Sequence, residues 1–147
     1  DENTPCNPRN PYGIAKNFLR QAMFDFASVT PELNLQWLRF YYITGDDRFS
    51  NSIFTKILKA EDEGQEFFPL NSGEMLYDFI DIEELSAQIE ERISSKQSGI
   101  FNCCSGKPKS LRTAVEEFIA EHNLKIKPRY NVFPSRPYDS MAVWGKK

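Results

Sequence analysis

The sequence predicts an α/β protein in which amphipathic helices alternate with buried strands. Three observations favour this class. Apolar residues recur at helical spacing between Ile14 and Phe26. A dense apolar and aromatic run covers residues 35–42, and a second apolar run, "GIFNCCSG", is bounded by glycines. The chain has 147 residues, 40% apolar and 27% charged, so it is long enough to bury a core and ordinary in composition.

The first predicted helix begins at Asn10 and Pro11. Asparagine can cap a helix, and proline fits the first helical position. The apolar stripe that follows consists of Ile14, Phe18, Ala22 and Phe26, with Leu19 and Met23 beside them. Because proline disfavours the helical conformation of the residue before it, the helix is expected to end before Pro31.

The run "LNLQWLRFYYITG" predicts a strand from Leu35 to Tyr42 that ends before Gly45. Its nearly continuous apolar character is typical of a strand covered on both faces, as in a parallel sheet. A long amphipathic helix that leads into such a strand is the order expected of an α/β fold.

Three more helices are predicted downstream, with Ser50 and Ser110 as the caps of two of them. "EFFPL" predicts a short strand, and "LYDFID" a strand that leads directly into the helix "IEELSAQIEERI". Asp78 and Asp81, which flank Phe79 and Ile80, could fix a loop under a strand. The aromatic tail "RPYDSMAVWGKK" is expected to pack against the rest of the chain rather than to be disordered.

Charge and composition exclude several classes of function. The net charge is −3 and the pI about 5.3, whereas a nucleic-acid-binding protein would usually carry a basic stripe. No apolar run reaches the roughly 18 residues that a membrane span needs. The three cysteines, Cys6, Cys103 and Cys104, have no partner at zinc-finger spacing, so no metal site is expected. Their small odd number favours a reducing, cytoplasmic location.

A nucleotide-phosphate loop is also missing from the sequence. Such a loop needs clustered glycines, so that backbone amides can approach the phosphates at a helix N-terminus. The seven glycines of this chain are spread from Gly13 to Gly145. The segment "GKPKS" lacks the upstream glycine spacing of a P-loop, and Pro108 interrupts it.

Tyr12 and Lys16 form the one candidate pair for proton-transfer chemistry. Residues four apart lie on one face of a helix. A cation within about 4–6 Å can lower the pKa of a tyrosine by roughly 1–3 units, so that it exchanges protons with a sugar hydroxyl. The same spacing is also common on ordinary amphipathic surfaces, and the pair alone leaves both interpretations open.

Several segments together resemble the extended short-chain dehydrogenase/reductase family, the nucleotide-sugar epimerases, dehydratases and reductases. "TPCNPRNPYGIAK" is similar to the active-site segment, and "LRFYYITG" to a strand of the form L-R-x-x-x-x-Y-G. "NSGEMLYDFIDIEELSAQI" resembles the family's R-D-F stretch, and "GIFNCCSGKPKSLRTAVEEF" the strand and Ser-capped helix after it. "RPYDSMAVWG" resembles the end of a branch that includes 6-deoxyhexose reductases. The resemblance covers nearly the whole chain, in the family's order.

The resemblance implies a Rossmann-type fold, of which this chain would be the C-terminal half with the small substrate-binding subdomain. Residues 1–45 would hold the catalytic helix and an adjoining strand, and residues 46–147 mostly the substrate-binding subdomain, with a returning strand and helix at 77–104. Tyr12 would be the catalytic acid/base, and Lys16 would bind the nicotinamide ribose of NAD or NADP. Arg136 and Tyr138, and more loosely Asn51 and Ser52, would lie near the nucleotide-sugar. An arginine fork suits a diphosphate.

The chain departs from the family pattern at three places. It holds neither the glycine-rich cofactor loop nor the catalytic Ser/Thr that precede the tyrosine. Tyr77 stands where the family usually has arginine, and "YYIT" replaces the more usual Asn-hydrophobic-Tyr.

These departures give three expectations. The isolated chain should be inactive and should bind NAD weakly. Its exposed strand edges should favour a homodimer or other self-association. A non-catalytic module of the same fold, which senses a nucleotide-sugar or a dinucleotide, is the alternative to an enzyme.

Overall fold

Helices and strands alternate along the chain, as the sequence predicts. The computed structural model describes residues 1–45, 49–134 and 140–146. The helices in these ranges are α1 (Pro11–Ser28), α2 (Ile53–Asp62), α3 (Ile82–Ser95) and α4 (Leu111–Glu121). The strands are β1 (Gln36–Phe40), β2 (Tyr42–Thr44), β3 (Phe67–Pro69), β4 (Leu76–Tyr77), β5 (Phe79–Asp81), β6 (Gly99–Cys103), β7 (Lys109–Ser110), β8 (Lys127–Arg129) and β9 (Ala142–Val143).

Parallel pairing dominates the sheets. Strand β1 pairs with β6, β2 with β5, and β3 with β8, all in parallel. Strand β4 is central in a small mixed sheet, antiparallel to β7 and parallel to β9. Because parallel neighbours need a crossover connection, strands that pair lie far apart in the sequence.

Side-chain caps begin all four helices. Asn10 accepts a hydrogen bond of 2.7 Å from the Gly13 amide, and Ser110 accepts one of 3.0 Å from the Thr113 amide. These two caps confirm the predicted helix starts. The second helix differs from the prediction, because its cap is Ser52, whose hydroxyl accepts from the Thr55 amide at 3.1 Å. The Ser50 hydroxyl accepts instead from the Ser52 amide at 3.0 Å, which stabilises the capping turn.

Two predicted strands are each divided into two. The prediction of one strand from Leu35 to Tyr42, covered on both faces, is wrong, because the chain changes partner at Tyr41, from β6 to β5. Phe40 and Tyr42 are 49% and 45% exposed. "LYDFID" is likewise interrupted at Asp78, between β4 and β5. The tail prediction is confirmed where the structure describes it, since Ala142 and Val143 pair with β4.

Asp78, at the second of these breaks, is a fully buried carboxylate that holds three parts of the chain together. Its Oδ1 accepts from the amide and the hydroxyl of Ser105 at 2.8 and 2.6 Å. Its Oδ2 accepts from the amides of Gly106 and Gly145 at 3.0 and 3.2 Å. The expectation that Asp78 fixes a loop is thereby confirmed, and the C-terminal segment is attached to the same carboxylate.

The buried side chains form two clusters. The larger cluster lies between α2, α4 and the paired strands β3 and β8. It consists of Phe54, Ile57, Ala60, Leu70, Leu111, Ala114, Val115 and Ile126. The smaller joins Ile80, Leu85 and Cys103 beneath α3. Cys103 and Cys104 are fully buried, which agrees with their interpretation as small apolar residues.

Helix α1 contributes no buried residue to either cluster. Its predicted apolar stripe forms, but Ile14, Phe18 and Phe26 are 55%, 71% and 57% exposed. The half-buried positions belong to another face of the helix, which includes Asn17, Phe24 and Ala27. Nothing among the described residues buries the stripe. Self-association, which the sequence predicts through exposed strand edges, stays a prediction, and so does the division of the chain into two domains.

Tyr130, beside the larger cluster, gives a prediction for alkaline pH. Burial, together with the hydrogen bond from its hydroxyl to Glu116, raises the pKa of Tyr130 from 10.0 to about 12. The pKa of Tyr130 is higher in the folded state than in the unfolded state. Its neutral hydroxyl therefore stabilises the fold fully below pH 10, and this contribution is lost as the pH rises through about 12. The tyrosinate absorbance of Tyr130, measured as the difference between the parent chain and Tyr130→Phe, should therefore rise with a midpoint near pH 12.

Glu116→Gln is the matched control for this titration. It keeps an acceptor but removes the negative charge that disfavours the phenolate, so the pKa of Tyr130 should move down toward 10.0. A midpoint near pH 10 for this difference absorbance would show that burial and the hydrogen bond to Glu116 do not raise the pKa of Tyr130 as the structure indicates.

Candidate functional site

Tyr12 and Lys16 lie together on the first two turns of α1. The Asn10 cap and Pro11 fix the start of the helix, and the four-residue spacing then places the two side chains on one face. The Lys16 Nζ is 5.9 Å from the centre of the Tyr12 ring. Tyr12 is 73% exposed, so its hydroxyl is accessible to a ligand. The arrangement suits proton exchange at the phenol, and the catalytic role of both residues stays a prediction.

A cleft of about 350 Å³ opens beside this end of α1. Its lining consists of Cys6, Asn7, Pro8, Gly13, Lys16, Asn17, Arg20 and Trp37. The Asn17 side chain accepts from the Arg20 guanidinium at 3.1 and 3.0 Å, which holds the second cation in position. Two cations and an indole ring suit a ligand with an anionic or hydroxylated part and a flat ring. The sequence did not predict Arg20 or Trp37 here, because neither belongs to a local motif.

The segment before α1 is attached to the strand β1. The Arg39 guanidinium donates to the carbonyl of Glu2 at 3.3 Å and to the Cys6 Sγ at 3.4 Å. The main-chain amide of Asn102, on β6, donates to the Glu2 carboxylate at 3.2 Å. These contacts fix the approach to Asn10, and therefore the position of Tyr12 relative to the sheet.

Asn51 and Ser52 lie elsewhere, in a cavity of about 300 Å³ that we call the aromatic cavity. It is lined by Tyr42, Ile43, Asn51, Ser52, Ile53, Phe54, Tyr77, Phe79 and Leu111. It shares none of these residues with the cleft beside α1. The Ser52 hydroxyl is already engaged as the cap of α2. Arg136 and Tyr138, the other two predicted substrate residues, lie outside the described residues.

A third cavity, of about 390 Å³, adjoins the aromatic cavity. Ile53, Tyr77 and Leu111 line both cavities, which therefore share a wall. The rest of the third cavity is lined by Phe68, Pro69, Asn71, Met75 and Phe133, among others, and Lys56 is the one charged residue of its described lining.

Tyr77 lies in the wall that the aromatic cavity and the third cavity share, in contact with Tyr42. The ring centres are 4.3 Å apart, and the Tyr77 hydroxyl donates to the Met75 Sδ at 3.3 Å. Both tyrosines belong to segments that depart from the family pattern, but their contact could not be predicted, because it brings together two strands far apart in the sequence.

Metal-ligating side chains are not clustered in the part of the chain that the structure describes. Within the same ranges, no helix has both the length and the apolar character needed to cross a bilayer.

Comparisons with known proteins give a consistent result. The model of the NAD dependent epimerase/dehydratase family matches residues 1–104. A dTDP-6-deoxy-L-talose 4-dehydrogenase (NAD(+)) of Aggregatibacter actinomycetemcomitans is 90% identical over 100% of this chain and 54% of its own length. The chain thus spans about half the length of this relative.

Solved structures show the same fold at low identity. RMD from Pseudomonas aeruginosa complexed with NADPH superposes with a TM-score of 0.83 at 16% identity, over 99% of this chain and 50% of its own. The UDP-glucose 4-epimerase of Thermus thermophilus, in complex with NAD, gives 0.80 at 16% identity, over 98% and 48%. The predicted α/β, Rossmann-type class is confirmed.

Proposed function

The chain belongs to the NAD dependent epimerase/dehydratase family, and on this premise we propose that it forms part of an NAD-dependent nucleotide-sugar dehydrogenase. The observation that carries the proposal is the exposed Tyr12 hydroxyl with the Lys16 ammonium over its ring. The named activity of the 90% identical relative supports a dTDP-linked 6-deoxyhexose as substrate and oxidation at its C4 carbon.

The residues of this chain fit one end of the cofactor. Lys16 and Tyr12 could bind the nicotinamide ribose through hydrogen bonds, whereas the glycines are too dispersed to form a pyrophosphate loop. The rest of the cofactor site would therefore belong to a longer protein that contains this chain, and the isolated 147-residue chain would be inactive. NAD, when bound, supplies the acceptor for the hydride that leaves the sugar carbon.

Tyr12 takes the proton in this reaction. The sugar C4–H bond breaks with loss of the hydride, the C4–O bond becomes a carbonyl, and the hydroxyl proton moves to the Tyr12 oxygen. Lys16 places a positive charge 5.9 Å from the centre of the same ring. In the reverse direction Tyr12 returns the proton to the alkoxide as the hydride comes back.

A turnover assay tests the proposal. The full-length protein, given dTDP-6-deoxy-L-talose and NAD, should produce reduced nicotinamide, detected by its absorbance, together with a 4-keto sugar. The isolated chain at the same concentration should produce none. Turnover by the isolated chain would contradict the assignment of the cofactor site to a longer protein. A full-length protein that interconverts nucleotide-sugars without net formation of reduced nicotinamide would be an epimerase instead.

A further inference from the structure

Residues 2–8, which we call the bridging segment, lie between the sheet formed by β1 and β6 and the start of α1. The segment contains neither helix nor strand. Within the described part of the chain, no backbone–backbone hydrogen bond joins it to the sheet or to α1. Its position therefore depends on contacts that involve side chains.

Arg39, on β1, supplies these contacts at one end of the segment. Its guanidinium donates to the main-chain carbonyls of Asp1 and Glu2 at 3.5 and 3.3 Å, and to the Cys6 Sγ at 3.4 Å. An arginine fork can hold several acceptors at once in this way. Asn102 is the register partner of Arg39 on β6, and its main-chain amide donates to the Glu2 carboxylate at 3.2 Å. Glu2 is thus held at its backbone by one strand and at its side chain by the other.

The other end of the segment packs against α1 beside Tyr12. Pro8 approaches Gly13 so closely that a Cβ atom at Gly13 would lie 3.0 Å from the Pro8 Cβ. Gly13 directly follows Tyr12 in the first turn of the helix. Cys6 and Pro8 also line the same cleft as Lys16. The segment is therefore in contact with the turn that carries the phenol.

Arg39 is on the side of the sheet that faces this cleft. Arg39 and Trp37 are two residues apart on β1, so their side chains share one face of the strand. Trp37 lines the cleft together with Lys16, whereas Arg39 does not line it and reaches it through Cys6. Because α1 has no fully buried side chain, the position of the helix relative to the sheet depends more strongly on the bridging segment.

We propose that Arg39 is a positioning residue for the reaction: it holds the bridging segment on β1 and thereby fixes the Tyr12 hydroxyl relative to the sheet. The inference rests on the proposed function, because it takes Tyr12 as the acid/base. It goes beyond that function in assigning the geometry of the phenol to a residue outside the cleft.

A double-mutant cycle in the full-length protein tests this role. Arg39→Met removes the donors and keeps an unbranched side chain. It should lower kcat by about tenfold to a hundredfold, the upper value being the cost of displacing a catalytic group by about 1 Å. The KM for the dTDP-sugar should stay within about threefold. In a Tyr12→Phe background the same substitution should change the remaining turnover by less than about threefold, because no phenol is left to position.

Two further variants make the cycle interpretable. Arg92→Met is the matched control, since Arg92 is also half-buried and its guanidinium carbon lies 4.9 Å from the centre of the Phe101 ring, on the same sheet. Its kcat should stay within about threefold of the parent. Arg39→Lys is the milder variant, because it keeps the charge without the fork that holds Glu2 and Cys6 together. Its kcat should fall less, with the same dependence on the Tyr12 hydroxyl.

Hydrogen exchange gives a readout that does not involve turnover. The main-chain amide of Asn102 should exchange faster in Arg39→Met than in the parent, because release of the bridging segment removes its Glu2 acceptor. NMR of the full-length protein, labelled at asparagine, measures this rate. Arg92→Met should leave it unchanged.

The outcomes distinguish this inference from the proposed function. An unchanged kcat in both Arg39 variants, or a loss of the same factor with and without the Tyr12 hydroxyl, would overturn the positioning role while leaving the dehydrogenase proposal intact. Unchanged exchange at Asn102 in Arg39→Met would also overturn it. Full turnover in Tyr12→Phe itself would overturn both the positioning role and the proposed chemistry of Tyr12.

Discussion

Replacement of Asp78 by alanine is expected to lower the free energy of unfolding by about 3–5 kcal/mol, an effect comparable to breaking a buried charged interaction. The Asp78 side chain is fully buried and accepts four hydrogen bonds, from the amide and hydroxyl of Ser105 and from the amides of Gly106 and Gly145. The substitution leaves these donors without a protein acceptor, and each unsatisfied buried donor costs about 1–3 kcal/mol before relaxation and water entry. Urea denaturation, followed by circular dichroism, measures the change.

Two companion variants make this result interpretable. Asp78→Asn keeps one oxygen acceptor and replaces the other with a donor, so its effect should be large but smaller than that of alanine. Asp25→Ala, on the exposed face of α1, should change stability by no more than about 0.5 kcal/mol. Equal stability of the Asp78 and Asp25 variants would show that the carboxylate does not hold the loop and the C-terminal segment together.

Tyr12→Phe is expected to reduce the turnover of the full-length protein by about 10²- to 10⁴-fold, the usual contribution of a positioned acid/base group. Only the hydroxyl is removed, so the ring can remain in contact with Lys16, and the affinity for the nucleotide-sugar should be nearly unchanged. Steady-state kinetics with the dTDP-sugar and NAD, alongside calorimetric binding of the sugar nucleotide, separates the two quantities. The loss should appear in kcat rather than in the dissociation constant.

Tyr130→Phe is the matched control, because it also removes one tyrosine hydroxyl, in this case one that donates to Glu116 on a ring that lies against Arg112 rather than Lys16. Its turnover should equal that of the parent. A sensing module, the alternative interpretation, would have no turnover to lose. Turnover in Tyr12→Phe within threefold of the parent would remove Tyr12 from the reaction.

The local features of the fold could be predicted from the sequence. Asn10 and Ser110 begin their helices as expected, since capping depends on residues only three positions apart. The strand breaks at Tyr41 and Asp78 could not be predicted. Each arises where the chain changes from one pairing partner to another, and the partners lie tens of residues away.

In the candidate site, too, the local features could be predicted from the sequence and the tertiary contacts could not. The proximity of Tyr12 and Lys16 follows from helix geometry alone, and the resemblance gave the pair its chemical meaning. The contact between Tyr42 and Tyr77, and the addition of Arg20 and Trp37 to the cleft, depend on tertiary packing. A single sequence contains no local signal for such contacts.

The exposed apolar stripe of α1 bears on how long the proposed catalytic arrangement persists. A helix with no fully buried side chain gains less from tertiary packing, which supplies most helical stability in proteins. Its hydrogen bonds can then open in local fluctuations that leave the two buried clusters intact. The fraction of time for which the Tyr12 phenol and the Lys16 ammonium group stay one helical turn apart would then depend on whether another surface covers Phe18 and Phe26. A contact that covers these two side chains would stabilise the helix and, with it, the proposed catalytic arrangement.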